Sequence, residues 1–192
     1  MKKTVTTLAA ATLAAVSGWS MGCASSQEAG VAGLIPVVPR EAPPAEVDLA
    51  LREVSSSRLR EAVDRLAGFG TRHTLSDTSS PDRGIGASRA WIARAFQEAA
   101  DESGRVGEEA VSVLFDSHTV APDGRRITRE VEIVNVLCVI PGSNPAARDR
   151  LYYATAHYDT ICGEYTNPEC DAPGANDNAS GTAVLIEMAR AL

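Results

Sequence analysis

Residues 151–181 read LYYATAHYDTICGEYTNPECDAPGANDNASG, and the rest of the chain is organised around them. The stretch opens with an apolar, aromatic run, 151–156, short enough to predict a buried strand. His157 and Asp159 stand at its tip. Two positions apart on extended backbone, their side chains leave on the same side. A loop follows, punctuated by Gly163, Pro168, Pro173 and Gly174. Asn176-Asp177-Asn178-Ala179-Ser180-Gly181 then feeds a helix predicted to run to Leu192.

An imidazole and a carboxylate converging at a strand end are ordinary zinc ligands. A metal-bound His usually donates its other ring N–H to a carboxylate, which fixes the tautomer and the ring orientation. Asp159 is placed to do this for His157. Asp177, just ahead of a helix, sits where the macrodipole favours an ionised carboxylate, as a bridge between two divalent cations requires. Each residue also has a plainer use. A strand-end His is commonly a structural hydrogen-bonding group, and Asp177 or Asn178 read alone predicts a helix N-cap.

Read in order, HYD (157–159) after an apolar run and APGANDNASGTA (172–183) opening a helix resemble the zinc aminopeptidases of the bacterial leucyl-aminopeptidase type. These belong to the wider group that includes glutamate carboxypeptidase-like enzymes, co-catalytic dizinc exopeptidases. The likeness extends upstream to about Gly70, through GTRHT (70–74), RGIGASRAWI (83–92) and VNVLCVIPG (134–142). It implies an α/β fold, the amino-terminal part of a mixed-sheet α/β/α sandwich. It implies two zinc ions, with His157 binding one, Asp177 bridging both and Asp159 orienting His157. The implied substrates are peptides, shortened from their amino ends.

In that family a Glu-Glu pair beyond the helix supplies the general base and a further ligand, and another Asp and a last His complete the site. None of these can be placed in residues 1–192; Glu187, inside the final helix, matches no such pair. Residues 48–192 are therefore expected to be the amino-terminal part of a metallopeptidase domain, inactive by itself. Glutaminyl cyclases and deacylases of the same fold share part of the motif and remain an alternative. A non-catalytic surface lipoprotein that kept the scaffold is another.

A chain of 192 residues with 44% hydrophobic and 22% charged side chains can build one packed domain. Its formal net charge of −7 and the lack of a basic stripe exclude nucleic acid as the expected partner. Residues 1–26 read as an export signal: Lys2 and Lys3, then an apolar stretch too short to span a bilayer. Met21-Gly22-Cys23-Ala24-Ser25-Ser26 resembles a bacterial lipoprotein cleavage site with Cys23 acylated, although Ser20 stands where an aliphatic residue is usual. Ordinary cleavage after Ala24 is the alternative. Both place the mature chain outside the cytoplasm, in the periplasm or cell envelope or secreted. Residues 27–47, rich in Ala, Pro, Glu and Val, predict an extended tether.

Residues 48–67 predict one helix, with Ser55–57 as a possible start signal and Leu59, Ala62, Val63 and Leu66 at helical spacing. His73 is expected in a loop and not as a ligand. Residues 84–100 predict a helix whose Trp91, Ile92, Ala95, Phe96 and Ala99 face the core. Residues 109–120 and 128–140 predict antiparallel strands turned at Pro122-Asp123-Gly124, the second passing from half-covered to fully buried, with Cys138 inside and His118 facing solvent. Cys162 and Cys170 predict a disulfide in an oxidising compartment. Zinc binding by this pair is the rival, but it lacks a second pair of ligands.

Overall fold

The computed structural model describes residues 44–147 and 149–192. The expected export signal (1–26, with Cys23) lies outside the described residues, as does most of the expected tether. The described part is mixed α/β: four α-helices and one two-stranded antiparallel sheet.

The single helix expected over 48–67 is two. α1 (Ala45–Glu53) begins inside the stretch expected to be tether, behind Pro44. α2 (Ser56–Ala67) follows after a break at Val54-Ser55. The cause is Glu187. Its Oε1 accepts the Ser55 N–H at 2.6 Å, taking a donor that a continuous helix would use internally. Ser55 is extended (φ −110°, ψ 119°), and its hydroxyl accepts the Arg58 N–H as an N-cap. α3 (Gly84–Glu102) forms as its apolar spacing predicts, burying Ile92, Ala95, Phe96 and Ala99 with Trp91 half-buried. α4 (Ser180–Ala191) closes the described chain.

The core lies among α2, α3 and α4: Leu66 and Phe69 from the end of α2 and the turn after it, Ile92, Phe96 and Ala99 from α3, Ile186 and Ala189 from α4. Strands β1 (Ser112–Val120) and β2 (Val131–Val139) pair in register from Ser112 opposite Val139 to Val120 opposite Val131. Val113, Val136 and Cys138 lean on the helical core. The expectation that β2 becomes fully buried along its length is wrong. Val131 and Val134, in its first half, are buried, whereas Cys138 is half-buried and Val139 is exposed. With helix on one side only, the far half of β2 is covered through Val136 and Cys138 and stays open on its other face.

The strand expected over 151–156 is also absent: these residues enter no ladder. Leu151, Tyr152 and Tyr153 are 75–87% exposed. Apolar composition does not by itself make a strand: this run pairs with neither β1 nor β2, and the chain is first tied to the sheet at Tyr158.

Candidate metal centre

Tyr158, between the two singled-out residues, sets the geometry. Its hydroxyl donates to the Val134 carbonyl on β2 at 2.7 Å, and its ring packs against the core. Burial pushes the phenol up to about 12, so at neutral pH it keeps the proton it donates. Its carbonyl accepts the Nε–H of Arg72 at 2.7 Å. With Tyr158 facing inward, His157 and Asp159 on either side face outward, as side-chain alternation requires.

His157 has a carboxylate beside each ring nitrogen, and only the one at Nδ1 forms a hydrogen bond. Nδ1 lies 3.1 Å from Asp159 Oδ1, and Nε2 lies 3.0 Å from Asp177 Oδ1. The other Asp159 oxygen accepts the Thr74 hydroxyl at 3.2 Å. The cluster is open to solvent, with the Asp177 side chain 85% exposed.

Asp177 reaches His157 because the chain does not enter α4 directly. Residues Ala175–Ala179 form a distorted turn in which Asp177 (φ −119°, ψ 92°) and Asn178 (φ −134°, ψ 44°) leave helical geometry across a cis peptide bond. Gly174 starts the turn with φ +46°, and a β-carbon there would come within 2.2 Å of Thr160 Cγ2. Asn178 Oδ1 accepts the Gly181 N–H at 3.0 Å, the bond of a helix cap. Capping therefore falls to Asn178, and Asp177 is left for His157. The Thr182 hydroxyl, in the first turn of α4, lies 3.3 Å from the His157 carbonyl and 3.2 Å from that of Asn178, which ties the two halves together.

The donor set can be tested against zinc. A tetrahedral ion with ordinary Zn–N and Zn–O bonds would hold its nitrogen and oxygen ligands about 3.4 Å apart. The observed 3.0 Å between His157 Nε2 and Asp177 Oδ1 is within a few tenths of an ångström of that. Nδ1 on Asp159 leaves Nε2 as the coordinating nitrogen. The chemistry fits and the count falls short. Among the described residues no group of three or more His, Cys, Asp or Glu side chains is gathered to hold a metal ion.

Residues 135–192 match Peptidase family M28. The segment matching M28 contains β2, His157, Asp159, Asp177 and α4. Over 154 residues the chain is 44% identical to a protein of Pyricularia oryzae named "Probable zinc metalloprotease", covering 80% of this chain and 29% of that one. A protein of Leptosphaeria maculans with a similar name is 41% identical over 153 residues, covering 80% of this chain and 34% of that one. A "Probable leucine aminopeptidase" of Arthroderma otae is 26% identical over 140 residues, covering 73% of this chain and 31% of that one. The chain thus spans about a third of the length of the curated relatives it matches. No solved structure matches it significantly.

The remaining histidines stand apart from this centre. His73 is buried in a loop, its Nδ1 accepting the Leu75 N–H at 3.0 Å, which assigns the Nε2–H to the Tyr165 carbonyl at 3.1 Å. Both of its nitrogens are thereby committed. His118 is exposed beside Asp116. Cys162 and Cys170 are bonded to each other, with α-carbons 6.2 Å apart, in the loop between His157 and Asp177.

Sequence reasoning missed three contributors, Tyr158, Thr74 and Arg72. Tyr158 had a signal, since the residue between two outward-facing side chains must face inward. Thr74 and Arg72 had none beyond lying in GTRHT, because their roles depend on segments about 85 residues further along the chain.

Proposed function

We propose that this chain is the amino-terminal part of an exported zinc metallo-exopeptidase that removes residues from the amino ends of peptides. His157 and Asp177 are its zinc ligands, Asp177 the bridge of a two-ion centre, and Asp159 the carboxylate that orients His157. The observation supporting this best is the imidazole gripped at Nδ1 by one carboxylate and facing another across Nε2, inside the segment that matches M28.

The chain's own residues prepare that centre. Thr74 occupies one Asp159 oxygen, so the other is left to receive the Nδ1–H. This keeps the Nε2 lone pair directed toward Asp177. The exposed Asp177 carboxylate retains a second oxygen, as a bridging ligand must. When bound, zinc supplies a Lewis acid for the peptide carbonyl and lowers the pKa of water. The general-base Glu and the remaining ligands are assigned to sequence following Leu192. Cys23 is proposed as the lipid anchor that keeps the enzyme at the cell envelope.

The test is metal analysis of the protein encoded by the complete reading frame, together with hydrolysis of aminoacyl-nitroanilides. Stoichiometric zinc and turnover are expected, with both lost in His157→Ala and Asp177→Asn. A zinc-free but active enzyme would sink the proposal. Turnover by residues 27–192 alone would show that the general base had been misplaced.

A further inference from the structure

Arg72 is completely buried, yet it is a cation among backbone carbonyls. Its guanidinium donates to four of them: Nε to Tyr158 (2.7 Å), Nη1 to Leu66 (2.6 Å) and Pro173 (2.8 Å), and Nη2 to Gly174 (3.1 Å). Its backbone forms a two-way tie to Thr160, the N–H donating to Thr160 Oγ1 at 2.9 Å and the carbonyl accepting the Thr160 N–H at 3.1 Å. Burial lowers its pKa to about 10, with the charge of Asp159 opposing the fall, so the side chain is a cation at neutral pH.

These partners are not scattered. Tyr158 lies between His157 and Asp159, and Thr160 follows directly. Pro173 and Gly174 open the turn that delivers Asp177. Leu66 belongs to the last turn of α2. One planar group thus fixes the two segments carrying the site against each other and both against the helical core. The neighbours of Arg72 extend the clamp. The Gly70 carbonyl accepts the Ala172 N–H at 2.8 Å, and Thr74 holds Asp159.

We infer that Arg72 is a positioning residue for the metal centre, setting the separation of His157 from Asp177 through the backbone. The inference rests on the proposed metal reading of those two side chains, and Arg72 lies outside the segment that matches M28. Lysine cannot replace it. A single ammonium offers three hydrogens from one point and cannot span four carbonyls set around a fork.

The test uses the protein encoded by the complete reading frame, with zinc affinity read by competition against a chromophoric chelator and folding by thermal melting. Four variants are compared with wild type: Arg72→Lys, Arg72→Gln, His157→Ala and, as a stability control away from the site, Arg58→Gln. Zinc affinity is expected to fall about 10- to 100-fold in both Arg72 variants, the usual loss when an outer partner of a ligand is removed. Arg58→Gln should lower the melting temperature and leave zinc affinity within about twofold, a margin well inside that loss. A folded Arg72→Lys protein that binds zinc as wild type does, while His157→Ala does not, overturns the inference and leaves the site standing. Wild type failing to bind zinc, or His157→Ala binding equally well, overturns both. If neither Arg72 variant folds, Thr160→Val decides: it removes the acceptor for the Arg72 N–H, and unchanged zinc affinity there counts as refutation.

Discussion

Asp177 and Asn178 are adjacent, alike in size and placed at the head of a helix, yet the structure divides two tasks between them. Asn178 takes the cap and Asp177 faces the imidazole, because the turn at Ala175–Ala179 rotates one side chain toward α4 and the other away. Gly174 makes that turn possible. Gly174→Ala would need a positive φ and would drive a methyl into Thr160 Cγ2 and toward the Asp177 carbonyl. The expected cost is about 2–4 kcal/mol, combining the left-handed penalty with overpacking. Urea unfolding of the two proteins measures it, and a difference under about 0.5 kcal/mol, the level of an inert surface change, would contradict the geometry. At this scale the sequence was informative where chemistry is local. The spacing of His157 and Asp159 shows their common face, and the resemblance pointed to Asp177 rather than Asn178. Arg72 was illegible, since nothing in GTRHT reveals which carbonyls will gather around its guanidinium.

Between elements, one ion pair explains both a helix break and an expected acid sensitivity. Glu187 on α4 is buried and accepts from Arg58 Nε and Nη2 on α2 as well as from the Ser55 N–H. Burial alone would raise its pKa, but the hydrogen bonds from Arg58 and Ser55 and the charges of Arg58 and Arg190 outweigh that, and the carboxyl titrates below its ordinary 4.5. A carboxyl depressed in the folded state stabilises above its unfolded pKa and loses that contribution as pH falls through the folded value. The melting temperature should therefore drop steeply below about pH 4.5, and Glu187→Gln should flatten that drop while lowering the plateau at neutral pH. An identical pH profile in the variant would rule Glu187 out as the cause. The disulfide makes a separate contribution. Closing the short loop from Cys162 to Cys170 is worth about 2.5 kcal/mol in the chain-entropy account. The paired Cys162→Ala, Cys170→Ala protein should lose about that much in denaturant unfolding; no loss would mean the loop is held instead by the Thr71 and His73 bonds to Pro168 and Tyr165. Helices and the β1–β2 hairpin were legible because their periodicities are local. The break at Ser55 was legible only as a possible start at Ser55–57 inside one expected helix, since its cause is a carboxylate 132 positions away. The missing strand over 151–156 failed for the complementary reason: its composition suits a sheet, but no strand among the described residues pairs with it.

Taken whole, residues 44–192 leave several groups of large apolar side chains in water, and exposed apolar patches mark places where another surface binds. Val47, Leu51 and Val54 of α1 and the link after it, with Val184, Met188 and Leu192 at the end of the chain, line a groove of about 370 Å³, and all six are at least 40% exposed. Leu114 and Phe115 stand exposed on β1, and Leu151, Tyr152 and Tyr153 stand exposed just ahead of the site. The strands of a two-stranded sheet also keep unpaired backbone groups along their outer edges, which invite pairing with another chain. Buried apolar area is the main force opposing chain entropy. A chain with this much apolar surface still in water should lower its free energy by associating. Residues 27–192 expressed alone are thus expected to bind a hydrophobic dye, to scatter light at micromolar concentration and to melt over a broad range. Charged substitutions at Tyr152 and Val184 together should reduce scattering without altering the His157–Asp177 contact, since neither residue touches it. A soluble monomer with a sharp cooperative transition and no dye binding would show that these faces are satisfied in water, and the helical core would then have to supply the whole stability of the chain.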